Sequence, residues 1–141
     1  MTVISTAANN GCVCRYGAWF AYFVRRDPDH PAAIDWVRRN RQPLVTTDYV
    51  LDELLTLLKL RESHRVAAAA GEALLQRNVA TVERITETDF SAAWEVFWQY
   101  RDKAWSFTDC TSKVIMERLG ATHAFAFDTD FEEFGTIIRV P

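Results

Sequence analysis

The sequence predicts an α/β fold with a parallel sheet and helices packed against it. Three observations carry that expectation. Short apolar runs at Leu44–Val45, Val79–Ile85, His123–Phe127 and Ile137–Val140 alternate with longer segments of helical periodicity. Those longer segments carry their own start and stop residues, so helices fall between the strands instead of in a separate block. Strands separated by helices pair in parallel, because the crossover brings the chain back to the same end of the sheet.

Composition sets the outer bounds. With 141 residues and 49% hydrophobic content, the chain is long enough to bury a real core as one domain. No repeat, low-complexity tract or long linker divides it, so residues 1–141 are expected to form a single domain. No apolar run approaches the ~20 residues needed to span a bilayer. The first residues also lack the basic start and apolar stretch of a signal peptide, so a cytoplasmic location is expected, with no membrane partner. A net charge of −3 gives no global basic signature for nucleic acid. RNA stays open as a partner, because a metal ion and a local basic rim can hold phosphates. Cys12, Cys14 and Cys110 are odd in number and lack Cys-x-x-Cys spacing, which argues against a disulfide framework and against zinc.

Residues 1 to 13 are weakly patterned, with a turn marked by Asn9-Asn10-Gly11. An aromatic run from Gly17 ends at the charged break Arg25-Arg26-Asp27-Pro28. Asp29 is placed to cap a helix from about Pro31 to Asn40 with Ala33, Trp36 and Val37 inward. A strand over Leu44-Val45 ends at Thr46-Thr47, and a helix follows from Asp48 to about Leu60. An alanine-rich helix covers roughly Glu62 to Arg77, Val79–Ile85 reads as a strand, and Thr86 or Thr88 caps a helix reaching about Arg101. The next helix takes Thr108 as N-cap, Asp109 in its first turn, Val114, Ile115 and Leu119 as its stripe, and Gly120 as its stop.

The chemistry lies in the acids. On the helix from Asp48, Glu53 shares a face with Val50, Leu57 and Leu60, whereas Asp52 aligns with Asp48, Thr56 and Lys59. Asp52 therefore reads as a solvated acid, and Glu53 as a carboxylate needing a cation, a protein partner or a metal. Asp128 and Asp130 directly follow an apolar strand, and the carboxyl ends of such strands are where open α/β sheets place ligand sites. Taken singly, Asp109 is more often a helix N-terminal charge and Asp128 more often a turn residue. Placed together in one α/β chain, Glu53, Asp109, Asp128 and Asp130 point to a shared site. Converging carboxylates repel one another unless Mg²⁺ or Mn²⁺ sits between them, and such ions serve phosphate displacement.

The remaining signals are weaker. His30, His64 and His123 have no ligand spacing, and Trp19, Phe20, Tyr22 and Phe23 suit a core better than a base-stacking platform. Arg25-Arg26 and Arg38-Arg39-Asn40-Arg41 read first as solvated surface. Asp128-x-Asp130 falls too late in the chain for the nucleophile pair of haloacid-dehalogenase-like phosphatases.

Four segments in order match one family: GAWFAYFVRRDPDHPAA, TTDYVLDELLTLL, SFTDCTS and AFAFDTDFEEFG. From Gly17 onward the chain resembles the PIN-domain ribonucleases, in particular the VapC-type toxins of bacterial and archaeal toxin–antitoxin systems. The resemblance implies a three-layer α/β/α sandwich, an acidic Mg²⁺ (or Mn²⁺) site, endonucleolytic cleavage of RNA, a cognate antitoxin and a homodimer. It assigns Glu53, Asp109 and Asp128 to the family's acidic catalytic and metal positions, with Asp130 as an auxiliary acid.

The front of the chain departs from that pattern. The family opens with a strand ending in aspartate, and Cys14-Arg15-Tyr16-Gly17 stands in that place, putting Arg15 where the first catalytic Asp belongs. A guanidinium there removes a ligand and adds a fixed positive charge, so metal affinity and cleavage are expected to suffer severely. Arg15 is instead expected to pair with Glu53, Asp109 or Asp128 in a charge-balanced, inert pocket. A change of reading frame gives a second explanation for residues 1–16. Val13–Tyr16 can be encoded GTT-TGT-CGA-TAC, which one base later reads Phe-Val-Asp-Thr, and loss of one G at the following codons returns the chain to Gly17. The functional expectation is an endoribonuclease impaired by Arg15; the alternative is a catalytically inactive PIN-like protein that binds antitoxin or RNA.

Overall fold

Five short strands lie side by side in the order β3-β2-β1-β4-β5, and every neighbouring pair is parallel. They are β1 (Cys12–Cys14), β2 (Leu44–Thr47), β3 (Thr81–Glu83), β4 (His123–Phe125) and β5 (Ile138–Val140). The structure is a computed structural model that describes residues 11–76, 79–135 and 137–141. Helices α1 (Tyr16–Phe23), α2 (His30–Arg39), α3 (Asp48–Arg61), α4 (His64–Leu75), α5 (Glu87–Gln99) and α6 (Phe107–Leu119) join the strands, with a 3-10 turn at Asp130–Phe134 before β5.

Strand alternation divides the core into layers. In β1, Cys12 and Cys14 face one side and pack with Trp19, Leu54, Leu58, Leu74 and Phe125 beneath helices α1–α4. Val13 faces the other side and packs with Val45, Ile115, Met116 and Phe131 beneath α6. Helix α5 lies outside α6, joined to it through Ala93, Trp105, Cys110 and Val114. This is the expected three-layer α/β/α sandwich. Trp19 and Phe125 meet edge to face at 5.9 Å and Trp36 stacks on Phe125 at 4.5 Å, so the aromatic run after Gly17 does build core. All three cysteines are buried and free, and burial pushes the Cys12 thiol up to about 12 and the Cys110 thiol to about 11.

Side-chain caps start α3 to α6, whereas Asp29, expected to cap α2, stands at its N-cap position without a side-chain cap bond. Thr47 Oγ1 accepts from the Val50 amide at 3.0 Å to start α3, and Ser63 Oγ accepts from Val66 at 3.1 Å to start α4. That second cap starts α4 at His64 instead of Glu62. Thr86 and Asp89 close a capping box on α5. Asp89 is also gripped by Arg118 through bonds of 3.1 and 3.0 Å, which ties α5 to α6. Gly120, at φ 69°, takes the left-handed conformation that ends α6.

Three further expectations need correction. Thr108 is not the N-cap of α6: Ser106 is, because Ser106 and the third helical residue, Asp109, satisfy each other's amides reciprocally. Leu60, placed on the inner face of α3 with Glu53, is 77% exposed, since the buried stripe runs through Val50, Leu51, Leu54 and Leu58. The weakly patterned opening contains the central strand, because three residues are too few to show an alternating period. Asn9 and Asn10 of the proposed turn lie outside the described residues.

Candidate active site

The site forms where the carboxyl ends of β1 and β4 emerge together. Cys14 pairs with Phe125, and the Arg15 amide donates to the Phe125 carbonyl at 3.0 Å, extending the pairing by one residue. Arg15 therefore leaves the sheet centre beside the loop that carries Asp128 and Asp130. The N-terminus of α6 delivers Asp109 to the same point, and the second turn of α3 brings Glu53.

Arg15 is only 8% exposed, and its guanidinium is shared among three carboxylates. Its Nε donates to Asp109 Oδ1 at 3.0 Å and its Nη2 donates to Asp109 Oδ2, also at 3.0 Å. This parallel fork is the strong, orientation-fixing form of an arginine–carboxylate contact. Nη1 donates to Asp128 Oδ2, and Nη2 lies 3.4 Å from Asp130 Oδ2. The rings of Tyr16 and Phe131 flank the guanidinium, with centroids 5.1 and 5.6 Å from its carbon. Burial alone would make Arg15 less basic, but the hydrogen bonds and charge of Asp109, with the charge of Asp128, leave it more firmly protonated than usual.

Each carboxylate is held by a second contact or lacks one conspicuously. Asp109, almost fully buried, accepts the Ser106 amide on Oδ2 at 3.1 Å while its own amide donates to Ser106 Oγ at 3.0 Å. One side chain thus closes the α6 capping box and binds Arg15. Asp128 Oδ1 accepts the Asp130 amide at 3.0 Å, which sets the loop after β4. Glu53 is half-buried, and among the described residues its Oε1 finds no hydrogen-bond partner. Its carboxyl is pushed above the usual range by burial first and the Asp109 charge second, with Arg15 opposing. Asp130 is raised likewise, by burial and then by the Asp128 charge. A cleft of about 420 Å³ opens beside Glu53, bordered by Tyr16, Arg61 and Thr108.

Three of the four acids singled out in the sequence, Asp109, Asp128 and Asp130, therefore contact Arg15, and Glu53 lies near enough to feel the charges of Arg15 and Asp109. Sequence reasoning missed Ser106, Tyr16 and Phe131; for Ser106 the signal was present in the capping-box spacing Ser106-x-x-Asp109. The residues present do not fit Mg²⁺ or Mn²⁺. A divalent ion needs carboxylate oxygens free to converge on it, whereas Arg15 takes both oxygens of Asp109 and one of Asp128. Its fixed charge would also repel the ion. No group of three or more His, Cys, Asp or Glu side chains among the described residues is arranged to hold a metal.

A parallel α/β/α sandwich with acids at adjacent strand ends defines a class of acidic-site α/β proteins. The PIN-domain model matches residues 17–137, and the chain belongs to the PIN-domain family. The match starts just beyond Arg15 and Tyr16, where the sequence motifs also begin. The chain is 37% identical over 99 residues to the 23S rRNA-specific endonuclease VapC20 of Mycobacterium tuberculosis, in strains H37Rv and CDC 1551, covering 70% of this chain and 75% of the relative. It superposes on the crystal structure of M. tuberculosis VapC20, described as a sarcin-ricin loop cleaving toxin, with a TM-score of 0.86 and 32% identity, covering 92% of this chain and 99% of that one. The fold also matches VapBC2 of Rickettsia felis bound to a promoter DNA fragment, with a TM-score of 0.65 at 7% identity over 92% of this chain and 96% of that one. No helix among the described residues is long and apolar enough to cross a membrane.

Proposed function

We propose that this protein is a VapC-type endoribonuclease, a hydrolase of RNA phosphodiester bonds, whose reaction centre Arg15 holds closed. The observation that carries the reading is the gathering of Glu53, Asp109, Asp128 and Asp130 at the carboxyl ends of the two central strands, in a chain 37% identical to an rRNA endonuclease. Glu53, Asp109 and Asp128 are the acids assigned to the scissile phosphate, with Asp130 beside them. The cleft next to Glu53 gives RNA a way in. The target named for the relatives makes a 23S rRNA fragment with the sarcin-ricin loop the first substrate to test. A VapB-like antitoxin is the expected protein partner, and the cytoplasm the expected compartment.

PIN-domain nucleases generally depend on divalent metal. Here the guanidinium supplies the positive charge among the acids, so activity by the family's route is expected to be lost or severely reduced. Arg15 thereby favours a second reading: a catalytically inactive PIN-like protein that still binds antitoxin or RNA.

A cleavage assay on the structured rRNA fragment, with Mg²⁺ and with Mn²⁺, separates the two. The Arg15→Asp variant is expected to cut at least ~100-fold faster than the unmodified chain, since even outer-shell changes at metal sites cost 10–100-fold. Equal inactivity of both folded forms with either metal would sink the endonuclease reading. Retained RNA or antitoxin binding without cleavage would then support the second.

A further inference from the structure

The cleft beside Glu53 carries acids at one end and a cation at the other. Along α3, Glu53, Leu57 and Arg61 line it from successive turns, so Arg61 stands ~12 Å of helix rise beyond Glu53. Tyr16 and Thr108 belong to the same lining. The Tyr16 ring also flanks the Arg15 guanidinium at 5.1 Å, so the cleft adjoins the reaction centre directly.

Arg61 has a held stem and an unclaimed charge. The side chain is exposed and its guanidinium carbon lies 5.9 Å from the Phe20 ring centroid. It joins no ion pair with another described residue, although Asp52 lines the same cleft and Glu62 follows it in sequence. Glu62 is taken by Arg26, which also donates to the Arg61 carbonyl at 3.4 Å and steadies the end of α3. Contact with a ring face uses none of the guanidinium's N–H donors. Their planar fork matches two oxygens of one phosphate.

We propose that Arg61 positions RNA on this protein by taking a backbone phosphate next along the strand from the one that faces the acids. The inference rests on the reading of the site as one that takes RNA. Phosphate contacts fix the register of a nucleic acid without reading its sequence, and a residue at the far end of the cleft is placed to do so. Every nucleotide carries a phosphate, so a strand with one at the reaction centre presents another along the cleft. The chain's net charge of −3 gives no general attraction for that strand, and Asp52 and Glu53 oppose it, so a local cation has to hold it. Arg15 cannot serve, because its N–H groups are committed to Asp109 and Asp128. Between the two ends, the Tyr16 ring offers a face on which a base can stack.

Fluorescence anisotropy with a labelled 23S rRNA fragment carrying the sarcin-ricin loop tests the assignment on the full chain. EDTA keeps the strand uncut, salt runs from about 50 to about 200 mM, and circular dichroism confirms the fold of each variant. Arg61→Gln is expected to weaken binding about tenfold and to flatten the slope of log affinity against log salt by ~0.7 to ~0.9, the share of one phosphate contact. Arg61→Lys is expected to keep the slope and lose about threefold in affinity, because an ammonium retains the charge without the fork. Arg41→Gln removes an equal charge just before β2, at the opposite end of the sheet, and is expected to leave both quantities nearly unchanged. Equal affinity and slope in the unmodified chain and Arg61→Gln overturn the proposal alone, since the endoribonuclease reading is tested separately by cleavage in Arg15→Asp. Equal losses in Arg61→Gln and Arg41→Gln trace to net charge and overturn it as well. Absence of RNA binding by the unmodified chain overturns it together with the RNA-binding half of the functional reading.

Discussion

Arg15 and Asp109, 94 positions apart in the chain, meet in a fork of two hydrogen bonds of 3.0 Å each, both groups almost wholly removed from solvent. The pair stands at the centre of the acidic site and links the end of the central strand to the start of α6. Removing one member of a buried pair leaves the other charged and unsolvated. Arg15→Ala is therefore expected to cost about 3 kcal/mol of stability, read by urea unfolding. A loss below ~1 kcal/mol would mean that Asp109 is solvated after all. Asp128 and Asp130 are partly exposed and are expected to contribute little to that loss.

Metal dependence of folding is expected to change sign with residue 15. The unmodified chain should show no thermal shift with Mn²⁺, because the guanidinium already neutralises the carboxylates. Arg15→Asp should be unstable without metal and gain about 2.7 kcal/mol when Mn²⁺ reaches 100 times its dissociation constant. Calorimetry showing tight Mn²⁺ binding at this site in the unmodified chain would contradict the misfit argued for Arg15.

Glu53 offers a pH test. Its carboxyl is raised above the ordinary 4.5, by burial first, so the folded state holds its proton more tightly than the unfolded state. Its contribution is most favourable at low pH and falls as pH rises through the window above the unfolded value. Glu53→Gln is expected to raise the melting temperature near neutral pH, with the gain vanishing in acid below the carboxylate range. A gain that persists in acid would trace to packing and not to charge.

Ser106 links helix capping to the site. Ser106→Ala removes the acceptor for the Asp109 amide and is expected to cost ~1 kcal/mol by chemical denaturation. In the Arg15→Asp background it should also weaken Mn²⁺ binding, since Asp109 loses part of its local support. Unchanged affinity there would confine Ser106 to a capping role.

Resequencing the locus tests the origin of Arg15. Codons for Val13–Tyr16 that read Phe-Val-Asp-Thr one base later, followed by a G-run at Gly17, are the expected result. Codons incompatible with that reading would leave Arg15 as a plain substitution.

Most of the fold was legible because its signals are local. The α5 cap, expected at Thr86 or Thr88 and found at Thr86, the Gly120 stop and the apolar stripe of α6 each depend on residues within a turn or two. The inner face of α3 was harder to place. Glu53, Leu57 and Leu60 share a side by spacing, but packing against the rest of the core decides which side is covered, and it buries Leu54 and Leu58 while leaving Leu60 in solvent.

By itself the sequence determined the α/β order of elements, the PIN-domain kinship and the anomaly at Arg15, all properties of local period, capping and motif order. The sequence also pointed to Glu53, Asp109 or Asp128 as partners for Arg15, and tertiary structure decided that Asp109 and Asp128 take its hydrogen bonds. Its partners come from α6 and from the loop after β4, and only the parallel pairing of β1 with β4 brings those segments within hydrogen-bond reach. No short-range signal encodes that convergence. Once made, it excludes water from Arg15 and Asp109, so the charge that departs from the motif becomes the counter-ion of the site.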